Sequence, residues 1–237
     1  SPVAGETESY YKQINRFSAA FAFLTDVSML VLGGSLKRKE TLSARLGDIL
    51  SSLYLASTSL KYYEDMGDKE ADLPLVHWAC QTLIFETQES FHQILSNFPN
   101  RIIAGLLRFL IFPTGRNIKG PLIETTLTIG NLISRNTSTR DNLCQGIYIK
   151  DEPTNHLAIM QNALELYEVV YPIKVEVMTA RKKGLIEGQT LEELAAAAEN
   201  ANIITKEQVK QLLEYDKMTL DIINVDDFSE EELTKIH

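Results

Sequence analysis

Leu42-Ser-Ala-Arg-Leu-Gly-Asp-Ile-Leu-Ser-Ser-Leu-Tyr-Leu-Ala56 is the stretch that decides the fold. Its apolar residues return every three or four positions, and the rhythm continues through Leu60 and Tyr63. Leu42, Leu46, Ile49, Leu50, Leu53, Leu60 and Tyr63 therefore share one face of a helix running from about Arg38 to Met66, which Gly67 stops. Upstream, Ile14, Phe17, Phe21, Leu24 and Val31 form a second stripe, interrupted by Ser28 and ended by Gly33-Gly34. Downstream, a third helix begins near Pro74 and turns Val76, Leu83, Phe91, Ile94 and Leu95 inward. Three helices of roughly 20–28 residues predict an antiparallel bundle. No window alternates at period two long enough to argue for a sheet.

Beyond this bundle the elements shorten. Pro99 and Pro121 suit the first turns of new helices, and Phe112-Pro-Thr-Gly-Arg116 reads as a turn. A long helical pattern covers Asn155 to Lys183, where Pro172 should kink or break it. Three capping boxes follow: Thr190 with Glu193, Thr205 with Gln208, and Ser229 with Glu232. The expected fold is all-α, an antiparallel helical bundle followed by a shorter-helix region and a small acidic helical tail. Residues 1–9 read as a linker or boundary segment, 10–98 as the long-helix bundle, 99–184 as an irregular helical region packing on it, and 185–237 as the acidic tail. The opening Ser-Pro-Val-Ala-Gly-Glu-Thr-Glu-Ser lacks the features of a signal peptide and reads as a junction within a longer protein.

With 23 Lys and Arg against 32 Asp and Glu, the 237-residue chain carries −9, which disfavours nucleic acid as a partner. The charge is uneven. Leu185–His237 holds 13 acidic and 4 basic residues, whereas Gln93–Lys150 holds seven cations against Glu124 and Asp141. Two cysteines, Cys80 and Cys144, make neither a disulfide framework nor a cysteine-only zinc site, and both read as buried thiols in a reducing compartment.

Motifs for chemistry are sparse. His77, His92, His156 and His237 lack partners at metal-ligand spacing and read as packing residues. No phosphate-binding loop or nucleophile elbow is present. Glu86 and Glu89 share a helix face that reads as solvated. Lys37, Arg38 and Lys39, after the Gly33-Gly34 stop, could contact a phosphate at a helix start, or could simply be a solvated flank of a tight turn. Arg45 and Asp48 flank the core stripe and read as a structural ion pair, within the helix or across to another, that sets bundle register.

The most informative segment for function is Arg101-Ile-Ile-Ala-Gly-Leu-Leu-Arg-Phe-Leu-Ile-Phe112. As a helix it spans about 18 Å, too short for a hydrocarbon core of ~30 Å. Apolar residues nearly all round, with Arg101 and Arg108 as the only charges, fit a core helix, a helix lying in a membrane interface, or one docked on another domain. The candidates for a membrane- or partner-facing surface are Arg101, Ile102, Leu106, Arg108, Phe109 and Phe112, with Arg116 and Lys119 beyond. The surrounding positive charge suits anionic lipid.

Arg16-Phe-Ser-Ala-Ala-Phe-Ala22, Asp26-Val-Ser-Met-Leu-Val-Leu-Gly-Gly-Ser-Leu-Lys-Arg-Lys-Glu40 and Leu42–Ala56 resemble the C-terminal domain of bacterial acyl-CoA dehydrogenases of the FadE (long-chain) type. Phe112-Pro-Thr-Gly-Arg116 and Val225-Asp-Asp-Phe228 extend the resemblance over nearly the whole chain. Arg45-Leu-Gly-Asp48 followed by Leu53-Tyr54 is distantly similar to the C-terminal extension of very-long-chain acyl-CoA dehydrogenases, a helical bundle linked to membrane attachment.

The resemblance implies a parent flavoenzyme of fatty-acid β-oxidation that converts acyl-CoA to trans-2-enoyl-CoA and passes electrons to FAD. It implies as partners the catalytic dehydrogenase region of the same chain, a second copy of the parent, an electron-transfer flavoprotein and a membrane surface. The expected location is the cytoplasm, in association with the inner membrane. No segment here matches the family's flavin-binding or catalytic-base motifs, so no FAD and no catalytic residue are expected in this chain itself. The expected role is non-catalytic, stabilising the enzyme and holding it at a membrane. A domain that completes the acyl-CoA pocket and a purely structural oligomerisation bundle are the alternatives.

Overall fold

A computed structural model describes residues 5–67, 69–149 and 155–224. They are all-α, with no strand among the described residues. The chain divides into two compact units, residues 1–133 and 134–237.

In the first unit, α1 (Glu8–Leu32), α2 (Glu40–Asp65) and α3 (Leu73–Asn97) are the long helices. Tyr11 near the start of α1 donates to Glu64 at the end of α2 at 2.5 Å, and Tyr10 meets His77 at the start of α3. These pairings make α1 and α2, and then α2 and α3, antiparallel. Gly33 ends α1 at a φ of 49°, a backbone setting that favours glycine, and a 3₁₀ segment Gly33–Arg38 leads into α2. The core joins the stripes of all three helices; Phe17, Leu24, Ile49, Leu60, Ile84 and Phe91 are almost fully enclosed. Ser28 belongs to that stripe rather than interrupting it, because its buried hydroxyl donates to the Leu24 carbonyl at 2.7 Å. Leu50 departs from the predicted face and lies 56% exposed.

Two shorter helices, α4 (Arg101–Ile111) and α5 (Ile123–Ile133), complete this unit. Asn100 occupies the cap of α4, its side chain accepting from the amides of Ile102 and Ile103 at 3.1 Å. Pro99 thus stands one residue outside the cap rather than in the first turn, and Pro121 likewise precedes α5. The turn at Phe112–Gly115 closes with the Gly115 amide donating to the Phe112 carbonyl. Gln88, buried on α3, then clamps the irregular segment. Its Nε2 donates to the Ile118 carbonyl at 3.0 Å, and its Oε1 accepts from the Ile118 amide at 3.2 Å.

The second unit contains α6 (Ser138–Cys144), α7 (His156–Lys182), α8 (Leu191–Asn200) and α9 (Lys206–Ile223) around Val170, Val177, Leu194, Ala195 and Leu212. α7 runs unbroken through Pro172. The neighbouring Val170 and Ile173 are buried and hold it in place. Thr205 and Gln208 form a complete capping box. At α8 the box is shifted: Thr190 accepts from the Glu193 amide, but the Glu193 carboxylate accepts from Gln189 instead. Ser229 and Glu232 lie outside the described residues, as do Val225–Phe228.

Candidate functional site

α4 is apolar on both sides but packs on only one. Ala104, Leu107 and Ile111 are buried in the core of the first unit, and Ile103 packs partly against it. Ile102 (86% exposed), Leu106 (60%), Phe109 (68%) and Leu110 (51%) stand outward. Their spacing of four, three and one residues makes a continuous stripe along the helix. The sequence offered core and surface as alternatives, and α4 combines them.

Phe112 is a correction. It was a candidate for an outward-facing surface but is buried, packing edge-on against Phe91 at 6.2 Å and against Phe17 at 6.4 Å between ring centroids. The helix ends at Ile111, and the turn after it swings Phe112 back into the core. Arg16 fixes this end. Its Nη2 donates to the Ile111 carbonyl at 3.1 Å while its guanidinium lies 4.9 Å from the Phe17 ring centre.

The flanking cations are differently engaged. Arg101 donates to the Ser96 carbonyl at 2.7 Å near the end of α3, where helix carbonyls are left over, and Arg108 reaches the Ser96 hydroxyl at 3.5 Å. Arg116 pairs with Glu89 at 3.1 Å, so that carboxylate has a partner the sequence did not give it. Lys119 is exposed and forms no ion pair among the described residues.

Near Ser96, an open groove of about 520 Å³ lies between the start of α2 and the end of α3. Arg38, Lys39 and Arg45 line it with Gln93 and Asn97; Lys37 does not. Arg45 and Asp48 do pair, but within α2 at three residues' spacing and with both side chains more than 40% exposed. A bond inside one helix cannot set the register between two, and at such exposure it is worth about 0.3–0.5 kcal/mol.

A third feature, legible only in three dimensions, is polar. Tyr10 Oη lies 2.8 Å from His77 Nδ1 and accepts from Gln81 Nε2 at 3.2 Å, while His77 Nε2 lies 3.4 Å from Glu6. Burial raises the Tyr10 phenol above its ordinary pKa despite the Gln81 hydrogen bond. His77 is thus hydrogen-bonded between α1 and α3. Among the described residues no group of three or more His, Cys, Asp or Glu side chains is placed to hold a metal.

Sequence reading also missed the outer side of α1. Among the described residues, the segment Glu8–Arg38 is long and apolar enough to cross a membrane by length and composition, with a mean hydropathy of 1.7 in its most apolar window. Phe17 and Leu24 nevertheless serve the bundle core, while Phe23, Met29 and Leu30 face outward. A family model described as acyl-CoA dehydrogenase, C-terminal, bacterial type, matches residues 1–228. No solved structure matches the chain.

Proposed function

The chain belongs to the bacterial-type acyl-CoA dehydrogenase C-terminal family, and from that premise we propose that it is a non-catalytic helical module holding the dehydrogenase of its parent enzyme at a membrane. The carrying observation is α4, with Ala104, Leu107 and Ile111 committed to the core and Ile102, Leu106, Phe109 and Leu110 turned outward. Four large apolar side chains in one exposed stripe, with Arg101 and Arg108 on the same helix, suit an anionic bilayer surface: the side chains enter the interface while the guanidinium groups meet headgroups. In this reading long-chain acyl-CoA is met where it partitions, at the cytoplasmic face of the inner membrane. An electron-transfer flavoprotein collects the electrons. Phe23, Leu30, Leu50 and Tyr54, exposed on α1 and α2, support the companion role of packing against the catalytic region.

The family implies FAD in the parent enzyme. The groove lined by Arg38, Lys39 and Arg45 is open, not an enclosed slot of the kind that a flavin ring fills. The buried hydroxyls of Thr25 and Thr82, which have no partner among the described residues, do not line it. No catalytic step is assigned to these residues.

The test is flotation of the 237-residue chain with vesicles of phosphatidylcholine and phosphatidylglycerol. Leu106→Glu with Phe109→Glu should lower the bound fraction at least tenfold while leaving helical circular dichroism unchanged. Unchanged binding, or no binding by the wild type, overturns the reading. In the intact parent enzyme, removing this domain should leave flavin content and soluble turnover in place and abolish stimulation by vesicles. Selective loss of long-chain turnover without vesicles would instead favour a domain that completes the acyl-CoA pocket.

A further inference from the structure

The groove at the start of α2 gathers three cations, two of which the fold does not pair among the described residues. Arg38 ends the 3₁₀ segment, Lys39 caps α2 and Arg45 lies in its second turn, so one short stretch of chain places three positive charges around one concavity. Arg38 and Lys39 are exposed and form no ion pair among the described residues. The opposite wall, on α3, supplies the amides of Gln93 and Asn97, and Leu42 and Ile94 give the groove an apolar part. Glu40 is the carboxylate in the lining, and Asp48 already holds Arg45.

We propose that this groove binds a phosphate ester carrying at least two negative charges, with Arg38 and Lys39 as its principal contacts. The charge balance selects the ligand class. Glu40 offsets one cation and Asp48 another, which leaves one positive charge; a phosphomonoester or diphosphate that displaces Asp48 from Arg45 meets two. Arg38 can present a bidentate fork to two phosphate oxygens, and Lys39 a point charge to a third. The amides opposite can hydrogen-bond the ester or its organic body, for which a volume of about 520 Å³ leaves room. The same chemistry is offered by a soluble phosphate ester and by a phosphomonoester lipid headgroup. The site uses none of the outward side chains of α4, so it stands or falls separately from the membrane reading.

The experiment titrates the 237-residue chain with sodium pyrophosphate by calorimetry at low ionic strength. In parallel, the chain is floated with phosphatidylcholine vesicles with and without phosphatidic acid. The variant Arg38→Gln with Lys39→Gln removes the two exposed cations without touching the core; Lys206→Gln with Lys210→Gln, in the other unit, removes the same charge elsewhere. Pyrophosphate affinity should fall at least tenfold in the first variant and less than twofold in the second. That result establishes a site open to soluble phosphate esters. If pyrophosphate does not bind but the first variant alone loses its preference for phosphatidic acid, the site is established as one for a headgroup. Equal effects of the two variants, or no response to either probe, overturn the proposal. Leu106→Glu with Phe109→Glu separates the two ideas, since it should abolish flotation and leave the pyrophosphate titration unchanged.

Discussion

Gln88 shows how much one side chain can organise without announcing itself. In sequence it is a polar residue on a helix whose partner lies 30 positions away in a segment of no regular structure. Only the folded chain puts its amide against both polar groups of Ile118. Gln88→Leu would keep the volume but orphan a carbonyl and an amide, which should lower stability by about 2–3 kcal/mol. Hydrogen exchange at the Ile118 amide should accelerate together with that loss, and continued protection would show that the clamp is dispensable. Ser28 was misread for a related reason: its helix periodicity placed it inward, but its polarity suggested a gap, and the hydroxyl's bond to Leu24 removes the conflict.

The two cysteines separate in the same way, by burial that composition does not reveal. Cys80 is fully enclosed, and burial pushes its thiol up to about 12, whereas Cys144 is partly accessible and so departs from the expectation that both are buried. At pH 8 only about 10⁻⁴ of Cys80 is thiolate, so a disulfide reagent should label Cys144 first and Cys80 only on unfolding. A thiol raised from its ordinary value of 9.0 stabilises the fold fully below that pH. It should withdraw up to about 1.4 kcal/mol per unit as pH climbs from 9 towards 12. The urea midpoint should therefore fall across that window, less steeply in Cys80→Ala.

Among the elements, the long helices were readable because apolar residues at a helical period have few other uses. α4 was readable as a helix but not as a surface. When apolar side chains surround an axis, periodicity cannot say which of them faces inward, and a core helix and an interfacial one look alike. Neighbouring positions now give opposite expectations. Leu107→Glu places a charge where the side chain is 1% exposed and should unfold the first unit, at more than about 4 kcal/mol. Leu106→Glu, on the 60% exposed side, should shift the melting temperature by no more than a degree or two. Equal damage from both would mean that α4 is buried on all sides. Polar contacts hold the two ends of this helix: Asn100 caps its first turn and Arg16 donates to its last carbonyl.

For the whole molecule, the two units were the least legible feature. No run of Gly, Pro or Ser marks residues 133 and 134, and the net charge suggested a break at 185 instead. Each unit has its own core, and the single tryptophan, Trp78, lies in α3 of the first. Leu212→Ala opens a hole in the second core, where that side chain is fully buried, and should destabilise it by about 2–5 kcal/mol. Circular dichroism should then show an early partial loss of helix while Trp78 fluorescence keeps its wild-type midpoint. A shift in both signals together would show one cooperative block.

The unit boundary also divides the ions. Residues 1–133 hold 12 basic and 13 acidic side chains, and residues 134–237 hold 11 and 19. Near any negatively charged layer, one half of the chain is almost indifferent to the field and the other is driven from it. The second unit therefore carries most of the response to such a field, a difference that molar salt erases.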